Sequence, residues 1–318
     1  MTELLYDTER NAEISRRLTV IRRYYDLDAL CAHKTEAADV AAYYRASDFF
    51  YNHIHARGGR HIHMGLSEDA LFHEEDFLGQ ANTVASHITQ ETDRILEIGA
   101  GRLANTKYLA ERFPQIAFYA LDLPDRRFLR GRAPKNVRRT EGDFHDLSCF
   151  EPGSFDIVFG VETVCHGEDK QKIFRECFRV LKPGGRLILF DVYEPQPRDR
   201  MSEFEIFVSR TTLAAMRVTG MGQYIGDSLE YLTRAGFAPP EVTDLTERIR
   251  PTLRRLERLS GAYFRRPGLI RAIRKIIPED AAMNSIAGWL MNLTFDGKTI
   301  HQYNRVLAVK PPEPQEAP

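Results

Sequence analysis

The sequence Arg94-Ile95-Leu96-Glu97-Ile98-Gly99-Ala100-Gly101 determines how the rest of this 318-residue chain is organised. Its apolar residues are the β-branched and aliphatic types that fill a buried parallel strand. The Gly-x-Gly that follows lets the backbone turn sharply and approach a ligand, because neither glycine carries a Cβ atom. A segment of helical character continues to Ala110. The sequence therefore predicts a strand, a tight ligand-binding turn and a helix.

Strand-like and helix-like segments alternate after this turn. The pattern predicts strands at 94–98, 116–121, 137–140, 155–161 and 186–192, and helices at 104–112, 124–131 and 169–181. Lys182-Pro183-Gly184-Gly185 ends the last of these helices, because proline and glycine cannot continue it. Strands that alternate with helices at this spacing form a parallel, doubly wound sheet. We therefore predict an α/β fold.

Four parts of the chain differ in their predicted secondary structure. Residues 1–90 form a predicted helical N-terminal lid, including a helix at 68–89, and residues 91–193 form the ligand-binding core. Residues 194–310 hold the rest of the core, with helical insertions at 199–222 and 248–275 and a last strand at 300–309. Residues 311–318 are a predicted disordered tail. The many aromatic residues of the first part indicate either a helical cap or a lid over a small-molecule pocket.

The composition limits which binding partners and which cellular compartment are expected. The formal net charge of -1 gives no overall field that would attract nucleic acid. No segment approaches the roughly 18 apolar residues of a membrane span, and no basic and apolar leader is present. The four cysteines lack CxxC spacing, which favours free thiols in a reducing compartment. We expect a cytoplasmic enzyme that acts on a small molecule, without stable membrane insertion; a homo-oligomer stays open.

The Gly-x-Gly turn alone does not define the ligand, since it also opens dinucleotide-binding sites. A dinucleotide site has a third small residue at position 104, and Ala104 is tolerated there. Glu97 argues against a dinucleotide, because its carboxylate would repel a pyrophosphate and attract a cationic or amino-bearing ligand. An oxidoreductase that binds NAD remains a rival interpretation. A protein that binds its cofactor without catalysis is a second rival.

Five motifs occur in the order and spacing of one large enzyme family. They are Glu97–Gly101, Ala120–Asp122, Gly142-Asp143, Phe155–Val158 and Arg179–Gly185. Through them the chain resembles class I S-adenosylmethionine-dependent methyltransferases, over residues 90–192 and again in the closing strand. The resemblance implies a Rossmann-like, seven-stranded sheet and S-adenosylmethionine as the cofactor.

The same resemblance assigns cofactor contacts. It implies that Asp122 accepts the ribose hydroxyls, that Asp143 and Phe144 hold the adenine, and that Glu97 and the glycine turn hold the methionine end. The implied set is Tyr24, Glu97, Gly99, Ala100, Gly101, Asp122, Leu123, Asp143, Phe144 and Val161. The aspartates could instead cap helices or turns. The third glycine of the family's turn is Leu103 here, which puts the geometry of the turn in question.

A narrower resemblance concerns three further segments. Val161–Lys170 looks like the corresponding loop of the sterol C24-methyltransferases and their tocopherol and prenyl-diphosphate relatives. Arg23–Asp26 and His61–Gly65 are similar to segments of the same group. This resemblance implies C-methylation of an isoprenoid or prenyl-type alkene. O- or N-methylation of a small-molecule natural product is the alternative.

The catalytic residues depend on which atom accepts the methyl group. For an alkene, Glu162 is the candidate base at the end of the fourth strand, and Tyr24 and Tyr25 could stabilise a carbocation. For a phenol or an amine, His166 or His63 would be the better base. Glu162 could also have only a backbone-positioning or capping role.

A metal site is not predicted from the residues. The histidines near position 61 alternate, but no carboxylate or cysteine recurs at ligand spacing. The arginines of residues 248–275 would bind a diphosphate if several faced one pocket, and Mg²⁺ would then be expected. Otherwise they form a solvated face, and contact with an anionic membrane surface is a lesser alternative.

Overall fold

The chain forms one seven-stranded sheet in the computed structural model, which describes residues 2–48, 55, 61–124, 132–218 and 224–313. The strands are β1 (Arg94–Ile98), β2 (Ala117–Asp122), β3 (Val137–Glu141), β4 (Phe155–Val161), β5 (Leu181–Tyr193), β6 (Glu241–Asp244) and β7 (Gln302–Val309). Their order is β3-β2-β1-β4-β5-β7-β6. Strands β1 to β5 pair in parallel, and β7 runs antiparallel to both of its neighbours. The predicted α/β fold is confirmed.

Eleven α-helices are assigned within the described residues. They are α1 (Thr2–Ile21), α2 (Leu27–Ala32), α3 (Ala37–Ala46), α4 (Gly79–Ala85), α5 (Ala104–Arg112), α6 (Lys170–Val180), α7 (Glu203–Ala215), α8 (Ile225–Ala235), α9 (Thr246–Phe264), α10 (Pro267–Ile273) and α11 (Glu279–Thr294). None of these helices is both long enough and apolar enough to cross a membrane.

The central helices form where local signals agree. Asp169 caps α6, because its carboxylate accepts a hydrogen bond from Lys172 N at 2.9 Å. The buried apolar residues of α6 are Ile173, Phe174, Cys177 and Val180, which lie on one helix face. Lys182-Pro183-Gly184-Gly185 follows the end of this helix as predicted, but strand β5 already begins at Leu181. The paired register of β4 and β5 shifts between Phe155 and Ile157, which accommodates these residues.

The N-terminal helices share a core with the sheet. Ile14, Leu18 and Ile21 of α1 belong to the same buried hydrophobic cluster as Ile95 of β1 and Trp289 of α11. The predicted helical character of this region is present in α1 to α3. The division of the chain into lid and core stays a prediction.

Several predicted boundaries were wrong. The helix expected at 68–89 is a 3-10 helix, Glu74–Leu78, followed by the short helix α4. The basic stretch at 248–275 is two helices, because Pro267 starts a new one at its first position. Helix α11 was not predicted. Most of the helix expected at 124–131, and residues 314–318 of the expected tail, lie outside the described residues.

Candidate functional site

A cavity, called the first cavity below, lies where the carboxyl ends of β1, β2 and β4 meet. This is the edge of a parallel sheet at which ligands bind, because the loops after neighbouring strands diverge there. All of the predicted cofactor-binding residues except Tyr24 line it. They are Glu97, Gly99, Ala100, Gly101, Asp122, Leu123, Asp143, Phe144 and Val161.

The turn after β1 has the backbone shape that its glycines predict. Gly99 and Gly101 have φ angles of +62° and +52°, in the left-handed region. A Cβ atom at Gly99 would overlap the side chain of Thr163, and one at Gly101 would lie 3.1 Å from Ile62 Cδ1. Leu103 also has a positive φ, +63°, and precedes helix α5. The turn therefore closes without a third glycine, at a strain of about 1 kcal/mol for the left-handed leucine.

Asp122 ties the end of β2 to this turn. Its Oδ1 accepts a hydrogen bond from Leu123 N at 2.7 Å, and its Oδ2 accepts one from Gly101 N. Asp143 lies on the other side of the cavity and accepts hydrogen bonds from His145 N at 2.9 Å and His145 Nδ1 at 2.5 Å. The His145 side chain lowers the pKa of Asp143. The rings of Phe144 and His145 stack, with centroids 5.1 Å apart.

Glu97 is buried at the end of β1 and accepts three hydrogen bonds. Asn105 Nδ2 donates to Oε1 at 3.2 Å, Thr106 N donates to Oε2 at 3.1 Å, and the Thr106 hydroxyl also donates to Oε2. Burial nevertheless raises the pKa of Glu97 to about 7. Asn105 Oδ1 is buried and accepts no hydrogen bond from any described residue. This part of the cavity therefore offers acceptors to a ligand that carries hydrogen-bond donors or a positive charge.

A second cavity adjoins the first. Tyr44, Ile62, Glu162 and His166 line both. Most other residues of the second cavity are apolar: Met64, Val192, Met216, Val218, Leu256, Ala287, Met291 and Phe295. Helix α11 contributes several of its walls, and sequence reasoning missed these because that helix was not predicted. A ligand in the second cavity would meet an apolar surface with a few polar groups at the junction.

Glu162 lies at the junction in an unusual backbone conformation. Its φ is +49°, which is rare for a glutamate, and its N–H donates to Phe190 O at 2.7 Å. Its Oε1 accepts hydrogen bonds from Met64 N at 2.7 Å and from Tyr303 OH at 3.0 Å. No other hydrogen bond to this carboxylate comes from the described residues, which leaves Oε2 for a ligand. Burial, with a smaller effect of the nearby Asp191, raises the pKa of Glu162 to about 8.

His166 is held in one tautomer. Its Nδ1 lies 3.0 Å from Arg217 O, and a carbonyl oxygen can only accept, so Nδ1 carries the proton. Its Nε2 lies 3.1 Å from Tyr44 OH and accepts that hydroxyl's hydrogen bond. Burial lowers the pKa of His166, so the ring is neutral at pH 7. Tyr44 was not predicted as a site residue, because 122 positions separate it from His166.

His63 lines the first cavity but is poorly suited to accept a proton. Its Nε2 donates to Phe77 O at 2.9 Å, and burial lowers its pKa to about 3. Protonation of its other ring nitrogen would place a charge in an apolar environment.

Tyr24 and Tyr25 lie outside both cavities, contrary to the predicted contacts with cofactor and carbocation. The Tyr25 hydroxyl lies 3.0 Å from Tyr263 OH and 3.3 Å from Ala282 O, and the Arg274 guanidinium lies 4.8 Å from the centre of its ring. Both tyrosines follow the end of α1, and these contacts hold Tyr25 against helices α9 to α11. The structure therefore gives Tyr25 a packing role.

Comparison with known families matches residues 96–189 to a methyltransferase domain. The chain is 26% identical over 219 residues to a glycine/sarcosine/dimethylglycine N-methyltransferase of Actinopolyspora halophila, over 64% of the chain and 36% of that protein. It is 27% identical over 219 residues to the O-methyltransferase cnsE of Penicillium expansum, over 63% of the chain and 73% of that protein. The chain thus spans about a third of the first relative's length.

Solved structures share the fold. A [4+2]-cyclase, SpnF, has a TM-score of 0.65 at 19% identity and covers 88% of this chain and 97% of its own. Phosphoethanolamine N-methyltransferase 2 of Haemonchus contortus, in complex with S-adenosyl-L-methionine, has a TM-score of 0.57 at 21% identity. The match covers 86% of this chain and 57% of that one. Geranyl diphosphate C-methyltransferase of Streptomyces coelicolor, in complex with Mg²⁺, geranyl diphosphate and S-adenosyl-L-homocysteine, has a TM-score of 0.57 at 17% identity. The match covers 84% of this chain and 97% of that one. These likenesses establish the fold, whereas the activities of the three proteins differ.

Proposed function

We propose that the chain methylates a small, largely apolar molecule with S-adenosylmethionine as donor, since residues 96–189 match a methyltransferase domain and the sheet has the fold of solved methyltransferases. The acceptor we favour is an isoprenoid or prenyl-type alkene that is methylated on carbon. The observation that carries this proposal is the position of Glu162, whose carboxylate lies where the first cavity meets an apolar second cavity.

The residues of the first cavity fit S-adenosylmethionine. The Glu97 carboxylate and the unpaired acceptor Asn105 Oδ1 suit the ammonium group of the methionine end. Asp122 suits the ribose hydroxyls, and the ring of Phe144 suits the adenine. Bound there, S-adenosylmethionine would supply an electrophilic methyl group on a positively charged sulfur.

Glu162 would act as the base of the reaction. The π electrons of the acceptor form the new carbon–carbon bond as the carbon–sulfur bond breaks, which leaves S-adenosylhomocysteine and a carbocation on the acceptor. Oε2 of Glu162 then takes a proton from the neighbouring carbon, and the electrons of that C–H bond restore the double bond. An ionised Glu162 also stabilises the cation electrostatically.

The raised pKa of Glu162 is consistent with this role. Alone in the protein, the carboxyl is largely protonated at pH 7, because its pKa is about 8. A positive charge in the adjacent first cavity favours the ionised form and lowers the pKa. The base would therefore be generated when the donor binds.

A diphosphate acceptor receives little support. Arg255 donates to His55 O at 2.7 Å, and Arg250 donates to Asn292 O at 3.0 Å. Among the residues described, no arginine of the 248–275 stretch lines the second cavity. The proposal therefore needs no bound Mg²⁺, and the acceptor it favours is uncharged.

Methylation of a hydroxyl or an amine is the second candidate, and it rests on a different pair of residues. Tyr44 OH and His166 Nε2 lie 3.1 Å apart and line both cavities. The neutral His166 could take a proton from an acceptor hydroxyl that displaces or hydrogen-bonds Tyr44.

The test is product analysis with methyl-deuterated S-adenosylmethionine. The acceptors are uncharged prenyl and sterol-like alkenes, prenyl diphosphates, phenols, carboxylates and amines. Label on carbon in an alkene supports the proposal, whereas label only on oxygen or nitrogen supports the second candidate. Tight binding of S-adenosylmethionine without S-adenosylhomocysteine from any acceptor would contradict both.

A further inference from the structure

The outer surface of α9, α10 and the turn after α10 is strongly basic. We call it the basic surface, and its exposed cations are Arg254, Arg258, Arg265, Arg266, Arg271 and Lys275. None of these six forms an ion pair with a described residue. Positions 254, 258 and 265 lie within about 40° of one another around the helix axis, since each residue advances about 100°. Half of the cations therefore form one stripe along the end of α9.

The acidic side chains described near the basic surface are already paired. Glu257 forms an ion pair with Arg17 at 2.5 Å, and Glu279 forms one with Arg274 at 3.2 Å. Glu247 forms one with Arg250 at 2.6 Å and also interacts electrostatically with Arg254. None of the six cations has an ion-pair partner of its own among the described residues. Because the whole chain has a formal net charge of -1, this surface is a local concentration of positive charge.

Two exposed apolar side chains lie in the same segment, residues 266–276, as three of these cations. Ile276 is 82% exposed, the most of any exposed large hydrophobic residue described, and Leu269 is 38% exposed. Ile276 follows Lys275 directly in the turn after α10, and Leu269 of α10 lies three positions after Arg266 and about 160° from Arg271 around the helix axis. An isoleucine in water loses the stabilisation that apolar burial would give, about 25 cal/mol for each Å².

We propose that the basic surface docks the protein on an anionic lipid bilayer. Its cations would contact lipid phosphates, while Ile276 and Leu269 would enter the apolar region beneath the headgroups. A nucleic acid would also attract the cations, but it offers an exposed isoleucine no apolar phase. The combination of unpaired cations and exposed aliphatic side chains therefore favours a membrane.

One of the docked helices, α9, also forms part of the wall of the second cavity, beside α11. Leu256 of α9 and Ala287 and Met291 of α11 line this cavity, whereas the basic surface lies on the exposed side of α9 and α10. A membrane-bound enzyme would hold its apolar cavity close to a store of apolar molecules. Docking does not depend on the proposed reaction, because it can be measured without acceptor or donor.

Vesicle co-sedimentation of the full chain tests the proposal. Vesicles of phosphatidylcholine alone are compared with vesicles that also contain phosphatidylglycerol. We expect binding only to the anionic vesicles, weakened by added salt. An Arg266→Gln/Arg271→Gln variant should bind at least about tenfold more weakly, because each cation near such a surface contributes about fivefold in affinity. The matched control, Lys135→Gln/Arg175→Gln, removes two exposed cations elsewhere and should bind like the wild type.

The apolar contribution is tested separately. Ile276→Ser should weaken binding at every salt concentration, whereas Leu71→Ser, which changes another exposed residue at 65% exposure, should not. Equal binding to both kinds of vesicle would overturn the proposal, as would equal losses in the test and control variants. Duplex DNA that binds with the same salt dependence, unaffected by Ile276→Ser, would instead assign the surface to a polyanion.

Discussion

Replacing Glu162 by glutamine should remove most methyl transfer and, at the same time, stabilise the folded protein at neutral pH. Glutamine keeps an oxygen that can accept the hydrogen bonds from Met64 N and Tyr303 OH. It replaces the other oxygen with an amide that cannot accept a proton. We expect turnover to fall by roughly a hundredfold to ten-thousandfold, the usual contribution of a general base.

The stability effect follows from the pKa of the same group. The pKa of Glu162 is about 8 in the folded chain, against 4.5 for an unperturbed glutamate. Between pH 4.5 and pH 8 the folded state therefore binds more protons at this group than the unfolded state does. The contribution of the group to the free energy of unfolding is fully present below pH 4.5 and is lost as the pH rises towards 8. Removing the carboxyl should stabilise the protein by under about 1 kcal/mol at pH 5 and by about 3 kcal/mol at pH 7.

Urea unfolding of the wild type and Glu162→Gln at these two pH values measures the difference in free energy of unfolding. Glu176→Gln is a control for which the expected change in stability has the opposite sign, because the hydrogen bond from Arg179 lowers the pKa of Glu176. That variant should be less stable than the wild type at pH 7. A Glu162→Gln enzyme with near-full turnover, or one that is destabilised at pH 7, would refute the reasoning.

Three further predictions concern the two cavities. Asp122→Asn should weaken S-adenosylmethionine binding by about tenfold to a hundredfold, since charged hydrogen bonds to hydroxyls are lost; calorimetry showing unchanged affinity would count against the predicted ribose contact. Binding of S-adenosylmethionine at pH 7 should release protons, because its positive charge lowers the raised pKa values of Glu97 and Glu162; calorimetry in two buffers of different ionisation enthalpy measures this, and net proton uptake would be the wrong sign. Tyr44→Phe should change alkene methylation less than tenfold but should alter the pH–rate profile of any hydroxyl methylation; a large loss with alkenes alone would remove Glu162 as the principal base.

The sequence predicted the central elements well because their signals are local. The bounds of β1, α5 and β4 agree with the prediction, since β1 and β4 are short, mainly apolar segments and α5 begins soon after the glycine turn. The glycine turn and Asp122 were found for the same reason. Their motifs lie in the chain segments that also form the cavity, so sequence order and spatial position coincide.

Helix α11 could not be predicted in the same way. Its buried residues lie all around the helix rather than on one face, so no amphipathic period is visible. Tyr44 has no local signal either, because its role depends on a contact with His166 across the fold. The position of Tyr25 was not predicted for a related reason. Its contacts are with Tyr263, Ala282 and Arg274, which lie far away in the sequence, so the tyrosine motif alone does not indicate where the ring lies.

The most direct test of the account is a comparison of product and donor in one reaction. Purified wild type and Glu162→Gln are given methyl-deuterated S-adenosylmethionine and the best alkene acceptor, and S-adenosylhomocysteine and labelled product are quantified by mass spectrometry. We predict one trideuteromethyl group on carbon for each S-adenosylhomocysteine in the wild type, and a loss of at least about a hundredfold in the variant. Equal product from both proteins, or label on a heteroatom alone, would contradict the account.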